Sequence, residues 1–187
     1  RAVYKTTAYD LRQYKRLQLF THAEALPLDA DNYTQLVDGD LSVFIRLGSD
    51  YKNNYYEYEV PLKVTPTGKG SAYEPIDIWP TENMLDFRFE VLTNLKLSRN
   101  KKKRAGDKGI TFNTVYSEPD PDNLSNTISI VGNPSLSEVK TIMIGVRNVS
   151  GSNAVRSGEV WINELRLGEF NEEGGWAANA NLNVAVS

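Results

Sequence analysis

Leu41-Ser-Val-Phe-Ile-Arg-Leu47, then Gly48-Ser-Asp-Tyr-Lys-Asn-Asn54, then Tyr55-Tyr-Glu-Tyr-Glu-Val-Pro-Leu62, decides the fold class. In the first run Leu41, Val43, Ile45 and Leu47 repeat at period two. In the last, Tyr56, Tyr58, Val60 and Leu62 share one face, and Tyr55, Glu57 and Glu59 share the other. Alternation of this kind puts successive side chains on opposite sides of an extended chain, and the polar run between the two is a turn. Together they predict an antiparallel hairpin.

The same grammar continues outward. Upstream, Leu17, Leu19, Thr21 and Ala23 alternate with Arg16, Gln18, Phe20, His22 and Glu24, while Leu11, Tyr14 and Leu17 are spaced as in a short turn. Downstream, a short strand is expected over 76–79. Thr81 can cap a helix over 82–97, where Met84, Leu85, Phe89, Leu92 and Leu95 recur at helical spacing. The basic stretch 99–109 reads as a loop. Strands are expected over 111–116, 127–131, 141–147 and 159–167, punctuated by Pro119, Pro121, Pro134, Gly151 and Gly158. In the last strand Val160 and Ile162 have one parity, Leu165 and Leu167 the other. A β-bulge near Asn163 and Glu164 would turn all four toward one core. Many short strands with one helix predict a mainly β fold: an antiparallel β-sandwich of jelly-roll, galactose-binding-like type with one helix inserted.

From Trp176 the pattern changes. Trp176, Ala178, Ala180, Leu182, Val184 and Val186 form an apolar face, and the intervening positions are small or amide-bearing and uncharged. A transmembrane β-strand needs roughly 9–11 such residues with an aromatic at the interface. The reading is therefore a β-sandwich domain over 1–170, and a linker with the beginning of an outer-membrane barrel strand over 171–187. The alternative for the tail is an amphipathic strand of a water-soluble sheet. The chain starts at Arg1 and stops within a strand-like pattern, so both ends read as cut from a longer protein.

The 187 residues contain no cysteine and carry a formal charge of −3. Disulfide scaffolds, thiolate zinc sites and thiol catalysis are excluded, and the charge argues against nucleic acid as a partner. The chain reads as non-enzymatic. His22 is the only histidine; on an alternating strand, with no nucleophile motif, it reads as a hydrogen-bonded or surface residue. Glu57, Glu59, Asp38 and Asp40 could pair as in glycoside hydrolysis, but alternate acids on a strand are ordinarily a solvated face. Gly68-Lys-Gly70 lacks the spacing of a phosphate loop. No cofactor is expected. Structural calcium is the one metal idea, with Asp29, Asp31, Asn32, Asp38 and Asp40 as oxygen donors, against ordinary polar turns. Tyr33, Tyr51 and Tyr55, with Tyr56, Tyr58, Tyr73 and Trp79, could form a platform for stacking sugars, though about half of such rings belong to cores. The basic run Arg99, Lys101, Lys102, Lys103, Arg104 could meet anionic lipid or a partner, or be a solvated loop.

The string Glu159-Val-Trp-Ile-Asn-Glu-Leu-Arg-Leu167, followed by Phe170 and Gly174-Gly-Trp-Ala-Ala178, resembles the SprA/Sov family of Bacteroidetes outer-membrane proteins. The stretches 14–24, 40–50, 54–59 and 133–136 share in that resemblance; 65–73 and 101–122 do not. The resemblance implies a soluble insertion of a very large outer-membrane β-barrel. That barrel would be the translocon of the type IX secretion system, which exports folded cargo and gliding adhesins. It implies no catalytic residues. The implied partners are the rest of the barrel, other secretion components, cargo proteins, and outer-membrane lipid at the C-terminal strand. As a cap or wall at the pore mouth, the domain is expected on the extracellular side, because periplasmic turns of bacterial barrels are short. The competing expectation is a carbohydrate-binding jelly-roll module on the bacterial surface.

Overall fold

The structure, a computed structural model, describes residues 1–26, 35–66, 72–151 and 156–170. Along the chain run β1 (Ala2–Tyr9), β2 (Tyr14–Ala25), β3 (Leu41–Gly48), β4 (Tyr55–Pro61), the one-turn helix α1 (Pro75–Ile78), β5 (Leu85–Arg88), α2 (Phe89–Ala105), β6 (Tyr116–Pro119), β7 (Thr127–Val131), β8 (Val139–Asn148) and β9 (Gly158–Phe170). Single 3-10 turns lie at Leu11–Gln13 and Thr81–Asn83. One sheet has the order β1-β8-β3-β4-β7-β6 and the other β5-β2-β9. Every pairing is antiparallel.

The hairpin read from 41–62 is the middle of the larger sheet, with Val43 opposite Val60 and Ile45 opposite Tyr58. Its inner residues Val43, Ile45, Leu47, Tyr56, Tyr58 and Val60 meet Leu17, Leu19 and Ala23 of β2 and Phe87 of β5 in one apolar cluster. The Tyr58 and Phe87 rings stack across the two sheets at 4.1 Å. Burying these side chains from both inner faces stabilises the two-layer arrangement.

The helix differs from its expected bounds. Residues 82–97 divide into a 3-10 turn, strand β5, and only then α2, which continues to Ala105. Leu85 and Phe87 pair with Leu19 and Leu17 of β2, so the alternating reading wins there: the edge of β2 offers a ladder that an isolated helix lacks. Phe89, Val91, Leu92, Leu95 and Arg99 are the buried face of α2. The basic run is thus not a loop. Lys102, Lys103 and Arg104 are the last helical turn, ending at Gly106 in the left-handed conformation (φ 85°). Cations there complement the negative end of the helix dipole. Residues 76–79, expected as a strand, are α1 and its C-cap, begun by Pro75 and by a Glu74–Asp77 capping box. Of the strand expected over 111–116, only Tyr116 is extended, at the start of β6.

The bulge is where parity put it. Gln18 pairs with Arg166 and Phe20 with Asn163, so Leu19 faces two residues of β9, and Glu164 has φ 50°. Its effect is smaller than expected. Val160 and Leu167 pack on the core, whereas Ile162 and Leu165 stay 38% and 37% exposed. β9 is the sheet edge, and Leu165 faces the open side of the sandwich near Val3 and Tyr9 of β1.

Candidate functional site

The single histidine organises the most built cleft among the described residues. Thr21 and His22 of β2 are both buried, on opposite faces of the strand. Thr21 turns toward the core. His22 turns outward, where three pieces cover it. Trp161 is its cross-strand partner on β9, with ring centroids 5.2 Å apart. Trp79, at the end of α1, lies at 5.8 Å. The Thr65–Pro66 segment is tied to β2 by a bond from Thr65 N to Ala23 O at 2.7 Å. The space enclosed is about 230 Å³, and Glu24, Tyr73 and Ile78 also line it.

The hydrogen bonds fix the imidazole. Nδ1 lies 2.7 Å from the carbonyl oxygen of Ile78 and 3.0 Å from the Thr65 hydroxyl. A carbonyl can only accept, so Nδ1 carries the proton. The Thr65 hydroxyl donates in turn to Asp77 O at 3.2 Å. Nε2 points at Glu24 Oε2, 3.4 Å away. A neutral ring therefore presents an acceptor nitrogen beside a carboxylate, and a protonated one makes an ion pair.

The other sequence candidates occupy different places. Glu57 and Glu59, read as a solvated face, lie under arginines on the outer surface of the large sheet. Arg46 Nε donates to Glu57 Oε2 at 2.5 Å. Arg147 donates to Glu57 at 3.2 Å and also to Glu59. The two guanidiniums lie over Phe44, at 5.2 and 4.5 Å from its centroid. Desolvation would lower the affinity of Arg147 for its proton, but the two carboxylates outweigh it and raise that affinity. These acids are committed to a charge ladder. Asp38 accepts from Val64 N at 2.7 Å, and Asp40 holds Val37 N at 3.0 Å and the Arg156 side chain at 2.9 Å. Both are thus bound into turns; Asp29, Asp31, Asn32 and Tyr33 lie outside the described residues. Of the sugar-platform tyrosines, Tyr55 is 5% exposed with Arg46 4.1 Å over its ring, and Tyr51 tilts against Tyr4 at 4.8 Å. Tyr56 and Tyr58 are core residues. Trp176, Ala178, Ala180, Leu182, Val184 and Val186 lie outside the described residues.

The sequence reads His22 as a hydrogen-bonded or surface residue and shows no cleft. Trp79 stood in the aromatic list, but Trp161 and Thr65 gave no local signal, because only the β2–β9 register and the loop over β2 bring them to His22.

Two antiparallel sheets, an inserted helix and carboxylates tied up in ion pairs define a mainly β sandwich domain whose most distinctive surface is an aromatic cleft. The chain belongs to the SprA_N family, described as motility related/secretion protein, which it matches over residues 1–187. No curated protein matches the chain.

Proposed function

We propose that this chain is the soluble domain of a large outer-membrane β-barrel translocon that exports proteins through the type IX secretion system and supports gliding motility. The observation that carries the reading is membership of a motility and secretion family over the whole chain. The domain acts as a rigid cap or wall at the pore mouth, on the extracellular side, and is non-enzymatic. Its rigidity is supported by the one apolar cluster that joins both sheets and α2. A structural rather than catalytic role is supported by Glu57 and Glu59, both held by arginine. The jelly-roll reading is supported by the adjacency of the first strands to the last: β1 beside β8, and β2 beside β9. Partners are the rest of its own barrel, other secretion components and cargo, with lipid contact through 176–186. Neither a cofactor nor nucleic acid takes part.

The test is labelling of the full-length protein in intact cells with a membrane-impermeant thiol reagent. Single cysteines go at Lys101 and at Leu124, which is 78% exposed, and the chain itself contributes no thiol. Labelling before outer-membrane disruption is the expected result. Labelling only afterwards overturns the extracellular placement. Normal secretion after removal of residues 7–167 overturns the cap.

A further inference from the structure

The cleft at His22 has an unmet requirement. The Ile78 carbonyl holds the proton on Nδ1, so Nε2 of the neutral ring and Glu24 Oε2 are two acceptors 3.4 Å apart with no donor to share among the described residues. The walls beside them are aromatic: Trp161, Tyr73 and, behind the imidazole, Trp79. Acidic groups flank the cleft on the elements that frame it: Glu159 of β9 accepts from Trp161 Nε1 at 3.1 Å, and Glu74 caps α1. No lysine or arginine lines the cleft among the described residues. Nor are the walls loose, since Tyr73 donates to Pro66 O at 2.6 Å.

Paired acceptors, ring faces and an acidic rim are complementary to one chemistry. A cation is attracted by aromatic faces and donates charge-assisted hydrogen bonds to a carboxylate. From this geometry we infer that the cleft between β2, β9 and α1 is a recognition site for a lysine-type alkylammonium side chain of a partner protein. The ammonium sits between Glu24 and His22 Nε2, and its methylene stem lies along Trp161. The volume of about 230 Å³ takes one such side chain rather than a folded surface. The inference rests on the cleft alone and stands whether or not the domain caps a pore.

The chain's single histidine gives a single imidazole signal in NMR, so the site reports on itself. The whole chain is titrated near neutral pH with Nα-acetyl-lysine methylamide, with its uncharged norleucine counterpart, and with methyl glucoside. The expected result is a saturable shift of the His22 signal, with quenching of tryptophan fluorescence, by the lysine compound only. Glu24→Gln, at a half-exposed position, weakens that binding about tenfold or more, as does Trp161→Leu. An equal response to the norleucine compound, a response to the glucoside instead, or no response to any of the three overturns the assignment.

Discussion

Replacing Tyr58 by Phe removes one oxygen from the place where the two sheets meet. The Tyr58 hydroxyl donates to Asp120 Oδ2 at 2.5 Å and accepts from Asn126 Nδ2 at 2.9 Å. Tyr58 and Asp120 are 1% exposed and Asn126 is 4% exposed, so water cannot replace the lost partner. The ring itself stays, with its stack on Phe87, so the packing term is nearly unchanged. A hydrogen bond to a charged acceptor contributes roughly 1.5–3 kcal/mol, and an orphaned buried amide costs about 1 more. The sum is a loss of about 3 kcal/mol. For a chain of this size that lowers Tm by roughly 6–12 °C. Urea unfolding followed by circular dichroism measures it, with Tyr58→Phe, Asp120→Ala and the double variant closing a cycle. The expected coupling is about 2 kcal/mol. A loss below about 1 kcal/mol for Tyr58→Phe, or strict additivity in the cycle, refutes the buried Tyr–Asp–Asn cluster as a stabilising element.

Three further outcomes rest on other buried groups. Gly145→Ala places a Cβ against Phe44 Cζ and 2.8 Å from the Ala2 side chain, under a Phe44 ring clamped by two arginines; a loss of about 1–3 kcal/mol in urea unfolding is expected. Arg99 is fully buried, yet it donates to the neutral Gly132 carbonyl at 2.6 Å and the Asn100 amide oxygen at 3.1 Å. Arg99→Met is therefore expected within about 1 kcal/mol of the parent and Arg99→Ala lower by about 2–4, a contrast that thermal melts resolve. Burial pushes the Tyr56 hydroxyl up to about 12, and burial and the Asp120 bond raise that of Tyr58 further. A folded-state value above the unfolded one favours the neutral form. Both tyrosines therefore contribute stability that is complete below the ordinary value of 10.0 and is lost as pH rises through and beyond about 12. Phenolate absorbance, with unfolding measured at each pH, checks the sign.

The parts of the fold legible in the sequence are those whose signal is local. Leu41, Val43, Ile45 and Leu47 alternate because one face of β3 is core. The parity break between Val160 and Leu167, both packed on the core, announces the Glu164 bulge for the same reason. Residues 82–105 were harder. Leu85 and Phe87 fit a strand, Leu92 and Leu95 fit a helix, and Phe89 fits both, so only the free edge of β2 decides where one ends. Lys101 to Arg104 resembled a loop because a solvated helix end has no apolar face to display; Gly106 was the available clue. The cleft was the least legible feature. His22 and Trp161 are opposite each other only after β9 has crossed the whole chain to reach β2. Glu57 and Glu59 looked exposed because arginine cover from β3 and β8 is set by sheet order, not by neighbours in sequence.

The sheet order also sets how the domain bears a load. β1 and β9 are edge strands of different sheets. Ala2 lies beside Gly145 and Tyr9 beside Val139, while Phe170 lies beside Tyr14, just past the turn that follows Tyr9. Ala2 and Phe170 therefore lie at opposite ends of the sandwich. Tension between them runs along the strands and shears the β1–β8 and β2–β9 ladders lengthwise. In shear the cross-strand hydrogen bonds must yield together, whereas pulling from one end would open them one at a time. A domain wired this way passes mechanical force along its length with little stretch, and the load crosses from one sheet to the other through the core that the β3–β4 hairpin shares with β2.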